Sequence, residues 1–252
     1  MITEKIIVSI FSDFWTEALP LLTPSFVTIF NEAYCDKLAD LPSRKFAKIE
    51  MSPNVKNYDL VAEFAFCAAE TVHKHGITIT DFANDNQMIN EAYRRATTFL
   101  TRYQQDDYGT TFNNYEIVES LKIAKQYGYF FEHLKMNSSK IIFRPKLKGS
   151  GFLGSCTADL LVDDTLYEIK TVTRNISGKD IRQILIYLFL QSMSSIDTWK
   201  YGGFFNPRKA EHYRFYVDNL IQKISGGRSK VEVFDLFRNF LGERGVEIDG
   251  VF

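Results

Sequence analysis

Cysteine is scarce. Only Cys35, Cys67 and Cys156 occur in 252 residues, far apart and without paired spacing. That excludes a disulfide framework and a cysteine-held iron–sulfur cluster, and it fits a reducing, cytoplasmic setting. The four histidines, His73, His75, His133 and His212, have no zinc-ligand spacing with the cysteines. Proline is limited to six residues and low-complexity stretches are lacking, so a packed core is expected rather than a disordered chain. No apolar run is long enough to span a bilayer, so no membrane partner is expected. Met1–Lys5 lacks a signal-peptide pattern. There is no Walker A loop, so any nucleotide-driven motor would be another chain.

What the chain has in quantity is apolar and aromatic mass. Hydrophobic residues make up 45%, with 22 phenylalanines, enough for one large domain or two small ones. The net charge of −1 is unevenly divided. Residues 1–111 carry ten basic and fifteen acidic side chains, and residues 112–252 carry twenty and sixteen. A mildly basic C-terminal part suits an anionic partner, though it is also ordinary for a solvated surface. The N-terminal part reads as mainly helical, over Asp13–Leu22, Pro24–Lys37, Asp59–His75 and Asn86–Tyr103. Gly76 follows the third as a helix stop. The polar run from Gln104 to Gly109 is expected to separate a helical region, 1–108, from a second domain, 109–252. The helical region offers a surface for a homodimer or a protein partner, and its acidity favours protein over nucleic acid.

The chemistry is concentrated in Thr157–Lys170, which reads as strand, tight turn and strand. With Asp163-Asp164 as the turn, Val162 faces Thr165 and Asp159 falls opposite Glu168. Glu168 and Lys170 share a face by alternation. Two opposed carboxylates repel, and a hard divalent cation between them removes the repulsion. The alternative is a solvated hairpin with a Glu168–Lys170 surface pair. After the hairpin, Ser177-Gly178-Lys179-Asp180 has the spacing of a capping box, opening an apolar helix from Ile181 to about Leu190. Gln183 and Tyr187 lie four apart on that helix, so they share a face. A helix from Asn113 to about His133 precedes the hairpin and carries Glu116 and Glu119. Strands are expected at Ile141–Arg144, Glu168–Val172 and Tyr201–Phe205, the last two parallel across the intervening helix. A last helix is expected between Ile224 and Leu241.

Together these residues resemble the catalytic core of the PD-(D/E)xK nuclease superfamily. Asp159 matches the first acid and Glu168-Ile169-Lys170 matches (D/E)xK. Gln183 to Tyr187 resembles the QxxxY helix motif of RecB-like and Cas4-like members. Tyr115-Glu116, with Gly128-Tyr129 after it, resembles the helix that supplies an auxiliary metal-site glutamate in Mrr-like members, with Glu119 in reserve. The likeness spans roughly residues 112–206. Ala158 stands where the motif has proline, and the cysteine cluster of some relatives is lacking.

The resemblance implies an α/β fold, a restriction-endonuclease-like mixed sheet flanked by helices. It also implies a metal-dependent nuclease, most simply a deoxyribonuclease. Asp159, Glu168, the Ile169 carbonyl and Glu116 would hold Mg²⁺, with Mn²⁺ substituting. Lys170 would activate water or stabilise the phosphate, and Gln183 and Tyr187 would support it. Lys146, Lys148, Arg174, Lys179, Arg182 and Arg208 are the candidate DNA contacts. An RNase, a structure-specific nickase, or a non-catalytic binding member of the fold would use the same residues. Phage defence, restriction or DNA repair are the roles such a site would serve.

Overall fold

The computed structural model describes residues 3–104, 112–135, 140–194 and 199–248. Ten α-helices and eight strands occur in these segments. In chain order they are α1 (Glu4–Ile10), α2 (Ser12–Ala18), α3 (Pro24–Ala33), β1 (Cys35–Lys37), α4 (Tyr58–His75), α5 (Ile79–Ala83), α6 (Asn86–Gln104) and α7 (Asn114–Lys135). Then follow β2 (Ile141–Phe143), β3 (Lys146–Leu147), β4 (Cys156–Thr157), β5 (Leu160–Val162), β6 (Thr165–Ile169), α8 (Gly178–Ser194), β7 (Tyr201–Asn206), β8 (Glu211–Tyr216), α9 (Val217–Ile224) and α10 (Lys230–Ile248). The architecture is α/β. One mixed six-stranded sheet has the order β1-β8-β7-β6-β5-β2, and β3 and β4 form a separate pair.

The hairpin forms in the expected register, with Val162 opposite Thr165 and Leu160 opposite Tyr167. Asp163 takes a positive φ of 51°, which two-residue hairpin turns require and Asp tolerates. β6 and β7 run parallel, Thr165 beside Tyr201 and Ile169 beside Phe205, joined through α8. That crossover sets the site, because it returns α8 over the end of β6. Gly202 and Gly203 in β7 leave space for the rings of Phe215 and Tyr167, which a Cβ at either position would strike.

Alternation along the strands divides the core between the two faces. Leu166, Phe204 and Phe215 pack against α8 and the short helices from both chain ends. Leu160, Val162, Tyr167 and Phe205 pack against α4, α6 and α7. Phe204 and Phe205, fully buried on opposite faces, each contribute roughly 1.5–3 kcal/mol from area removed from water. Phe205 stacks on Phe130 of α7 at 3.9 Å between ring centroids.

The structure departs from the expected elements in several places; α1, α5, α9 and the β3–β4 pair were not expected, and the helix expected to reach Leu22 ends at Ala18. The helix expected to reach Lys37 stops at Ala33, because Cys35–Lys37 pairs with β8 and closes the sheet edge. β8 itself was not expected; its polar residues are buried, Glu211 against its neighbours Lys209 and Tyr213 and His212 against the distant Tyr167. The strand expected to reach Val172 ends at Ile169. The expected domain boundary, beyond Gln104, lies outside the described residues. On its N-terminal side, Ile7, Trp15 and Phe30 enter the α8-side core, and Phe64 and Leu100 enter the α7-side core. The chain on both sides of that segment therefore contributes to both cores. Among the described residues no helix is long and apolar enough to cross a membrane.

Candidate functional site

The strand pairing that fixes the hairpin stops at Leu160, and Asp159 occupies a bend just before it. The bend is held by Arg144, whose backbone N–H donates to the Asp159 carbonyl at 2.8 Å. Asp159 therefore does not sit in a ladder pair with Glu168. Its carboxylate instead accepts from the Ile169 N–H at 2.7 Å, which ties the two strands together at the point where their pairing ends.

Glu168 is buried at the end of β6, and its Oε1 accepts from Lys170 Nζ at 2.9 Å. Lys170 Nζ also donates to Gln183 Oε1 at 2.8 Å and lies 3.3 Å from Asp180 Oδ1. Gln183 Nε2 donates to the Tyr187 hydroxyl at 2.9 Å. The chain Glu168–Lys170–Gln183–Tyr187 is thus continuous from the end of β6 into α8. The capping box forms as expected, the Asp180 carboxylate accepting from the Ser177 N–H at 2.8 Å and from its hydroxyl at 2.7 Å. That cap fixes the first turn of α8, which carries both Asp180 and Gln183.

The electrostatics follow from burial and spacing. Burial, together with the Asp159 charge, pushes the Glu168 carboxyl up to about 8 against the pull of Lys170. Burial also raises Asp159, despite the Ile169 N–H and the Lys170 charge. For Lys170, burial opposes the ammonium, but Glu168 and Asp180 prevail and carry it to about 12. Asp180 resists its own burial through Arg174, Lys170 and the Ser177 contacts, which hold it well below the usual carboxylate range. One buried acceptor is left over. Glu168 Oε2 is enclosed and has no hydrogen-bond partner, a costly arrangement unless a cation or donor meets it.

Asp159, Ile169 and Lys170 border a cleft of about 190 Å³ whose opposite wall includes Asp59 and Glu63 of α4 and Tyr127 of α7. Glu63 is ion-paired with Arg144, whose guanidinium stacks between Phe66 and Phe99. Burial raises the Glu63 carboxyl even so. The helix-borne acids at this cleft, Asp59 and Glu63, therefore come from α4 rather than α7. Glu116 is committed to capping: it accepts from the N–H groups of Lys56 and Asn57 at 3.1 Å and of Asn113 at 3.0 Å. The reserve acid, Glu119, accepts from Ser52 N–H and from Arg208 Nη2, at 2.9 and 2.6 Å.

The expected basic contacts divide in the same way. Lys146, Lys148 and Lys179 are exposed. Arg174 is half exposed but held by Asp180, its Nη2 at 3.0 Å from Oδ1. Arg208 is buried against Glu119 and is not presented to solvent, whereas Arg182 is half-buried with its guanidinium 5.5 Å over the Trp15 ring. Asp180 and Glu63 were missed as site residues from sequence. Asp180 had a sufficient local role as a cap. The available signal for Glu63 was an acid beside the apolar stripe of Leu60, Phe64 and Cys67.

Among the described residues, no three His, Cys, Asp or Glu side chains stand together as a ready-made metal cage. No family model matches the chain, and no curated protein or solved structure matches it.

Proposed function

We propose that this chain is a Mg²⁺-dependent nuclease of restriction-endonuclease-like fold that hydrolyses phosphodiester bonds, most simply in DNA. The observation that carries the reading is the ammonium of Lys170, held between Glu168 and Gln183 beside the partnerless Glu168 Oε2. A surface charge pair would not be buried, and it would not need a glutamine from another element to orient it.

The residues fit a hard divalent cation. Asp159 and Glu168 are two acids whose ionisation the site disfavours in the absence of positive charge. Mg²⁺ commonly takes one or two protein carboxylates, with waters and phosphate oxygens completing its shell, so a cage of three side chains is not needed. Asp159, Glu168 and the Ile169 carbonyl would hold it, with Glu63 in the helix-borne position for which Glu116 was expected. When bound, it would acidify water and polarise the phosphate.

The chain's own groups supply the rest. Lys170, protonated at neutral pH, stabilises negative charge developing on the phosphate rather than taking a proton from water. Gln183 fixes its direction and Tyr187 fixes Gln183. Lys146, Lys148 and Lys179 are exposed and would offer positive charge to a nucleic-acid backbone. One site per chain cuts both strands of a duplex only as a dimer or by successive nicks.

Supercoiled plasmid, linear single-stranded DNA and RNA should each be incubated with Mg²⁺ or Mn²⁺ and wild type, Asp159→Ala or Lys170→Ala. Cleavage of DNA by the wild type alone supports the reading. Cleavage confined to RNA makes the chain a ribonuclease. Metal-independent binding with no cleavage of any substrate leaves a non-catalytic nucleic-acid-binding protein.

A further inference from the structure

Tyr127 lies in the middle of α7, wholly buried, with its ring fixed by Phe66 and Phe205 at 5.8 and 5.5 Å between centroids. Aromatic neighbours explain the ring but not the hydroxyl. A buried phenol ordinarily finds a hydrogen-bond partner. This one has none; the Thr171 side chain lies beside it, near enough to ease its ionisation slightly but outside hydrogen-bonding geometry. The charges that act on the hydroxyl are those of Asp159, Glu63 and Arg144, which are the groups of the cleft, and Tyr127 is part of the cleft wall.

The neighbouring groups are engaged with one another. Asp159 accepts from Ile169, Glu63 is paired with Arg144, and Lys170 is shared by Glu168 and Gln183. Tyr127 brings to this wall a buried donor that no acceptor among the described residues engages, beside the hydroxyl of Thr171. A phosphodiester is a set of anionic acceptors. We propose that Tyr127 is a catalytic residue whose hydroxyl donates a hydrogen bond to a non-bridging oxygen of the scissile phosphate. This rests on the nuclease reading and adds a specific contact to it. Burial and the Asp159 charge hold the phenol protonated well above its usual range, so the donor is present throughout the neutral region.

Tyr127→Phe removes one atom that the folded protein does not use. Its melting temperature should therefore equal or exceed that of wild type, while kcat on DNA falls about 10- to 100-fold. KM should change little, because one contact among many to the backbone is lost. A substrate with sulfur in place of that non-bridging oxygen offers a weaker acceptor. It should slow wild type but slow Tyr127→Phe no further, a non-additivity that altered packing would not produce. Wild-type cleavage with Tyr127→Phe within twofold of it would overturn this inference and leave the nuclease reading intact. Additive effects of the variant and the sulfur substrate would do the same. A melting temperature several degrees below wild type would show that the hydroxyl has a structural partner and would remove the premise. Absence of cleavage by wild type would overturn both readings together.

Discussion

Replacing Glu168 with glutamine separates the cost of the buried acid from its use. The side chain keeps its shape, and Lys170 retains Asp180 at 3.3 Å and Gln183 at 2.8 Å. In the wild type without metal, burial and Asp159 raise the Glu168 carboxyl from 4.5 to about 8. Below about pH 4.5 it is protonated in both the folded and unfolded chain and costs nothing. As pH rises toward 8 the unfolded chain releases the proton and the folded chain keeps it, so stability falls across that window. At about 1.4 kcal/mol per pH unit the loss is at most about 5 kcal/mol. Glu168→Gln has no such proton to release. In urea unfolding with a chelator present, the wild type should therefore lose stability relative to Glu168→Gln between pH 5 and 8.5, while at acid pH, where Glu168 is neutral, the two should be of similar stability. Adding Mg²⁺ at pH 8 should restore the wild type, by about 2.7 kcal/mol at a hundredfold excess over Kd, and leave the variant nearly unmoved. A wild-type-to-variant difference that is independent of both pH and Mg²⁺ would refute this account of Glu168.

Two other substitutions test assignments away from that acid. Glu116→Ala leaves three backbone N–H groups without their acceptor, and should cost about 2–4 kcal/mol in urea unfolding while the folded fraction keeps its cleavage rate; a catalytic loss without destabilisation would return Glu116 to the active site. His212 is held neutral, down to about 3, by burial and by the charges of His133 and Arg214. Asp36, 3.6 Å from its Nδ1, is largely in water and does not offset them. The stability this neutral ring contributes is complete above about pH 6.5 and is lost as pH falls toward 3, by roughly 3 kcal/mol at pH 4.5. His212→Gln should flatten that part of the stability–pH curve, and identical slopes for the two proteins would contradict the assignment.

What could be read from sequence was local. The hairpin register followed from a two-residue turn with one permissive Asp, and the start of α8 from a capping box three residues long. Gln183 and Tyr187 share a face because α-helices repeat every 3.6 residues. The parallel pairing of β6 and β7 followed from one crossover rule. What escaped depends on packing between distant segments. Glu63 and Glu116 are both helix-borne acids, and only the stacking of α4 over the cleft assigns one to the wall and the other to a cap. Arg208 reads as a phosphate ligand until Glu119, 89 residues earlier, is found against it. β1 has no strand signal of its own in Cys35–Lys37 and exists because β8 offers an edge. The bend at Asp159 is likewise set by Arg144, just past the end of β2, which no pairing rule within the hairpin could supply.

The central claim is that Asp159 and Glu168 hold a divalent cation beside Lys170. Crystals of the wild type and of Asp159→Ala grown with Mn²⁺, measured for anomalous scattering, test it directly. The account predicts a wild-type peak within coordination distance of both carboxylates, coincident with loss of the Lys170–Glu168 contact or its lengthening, and no peak in the variant. A wild-type crystal at saturating Mn²⁺ with no peak there, and with Lys170 still seated on Glu168, would contradict it.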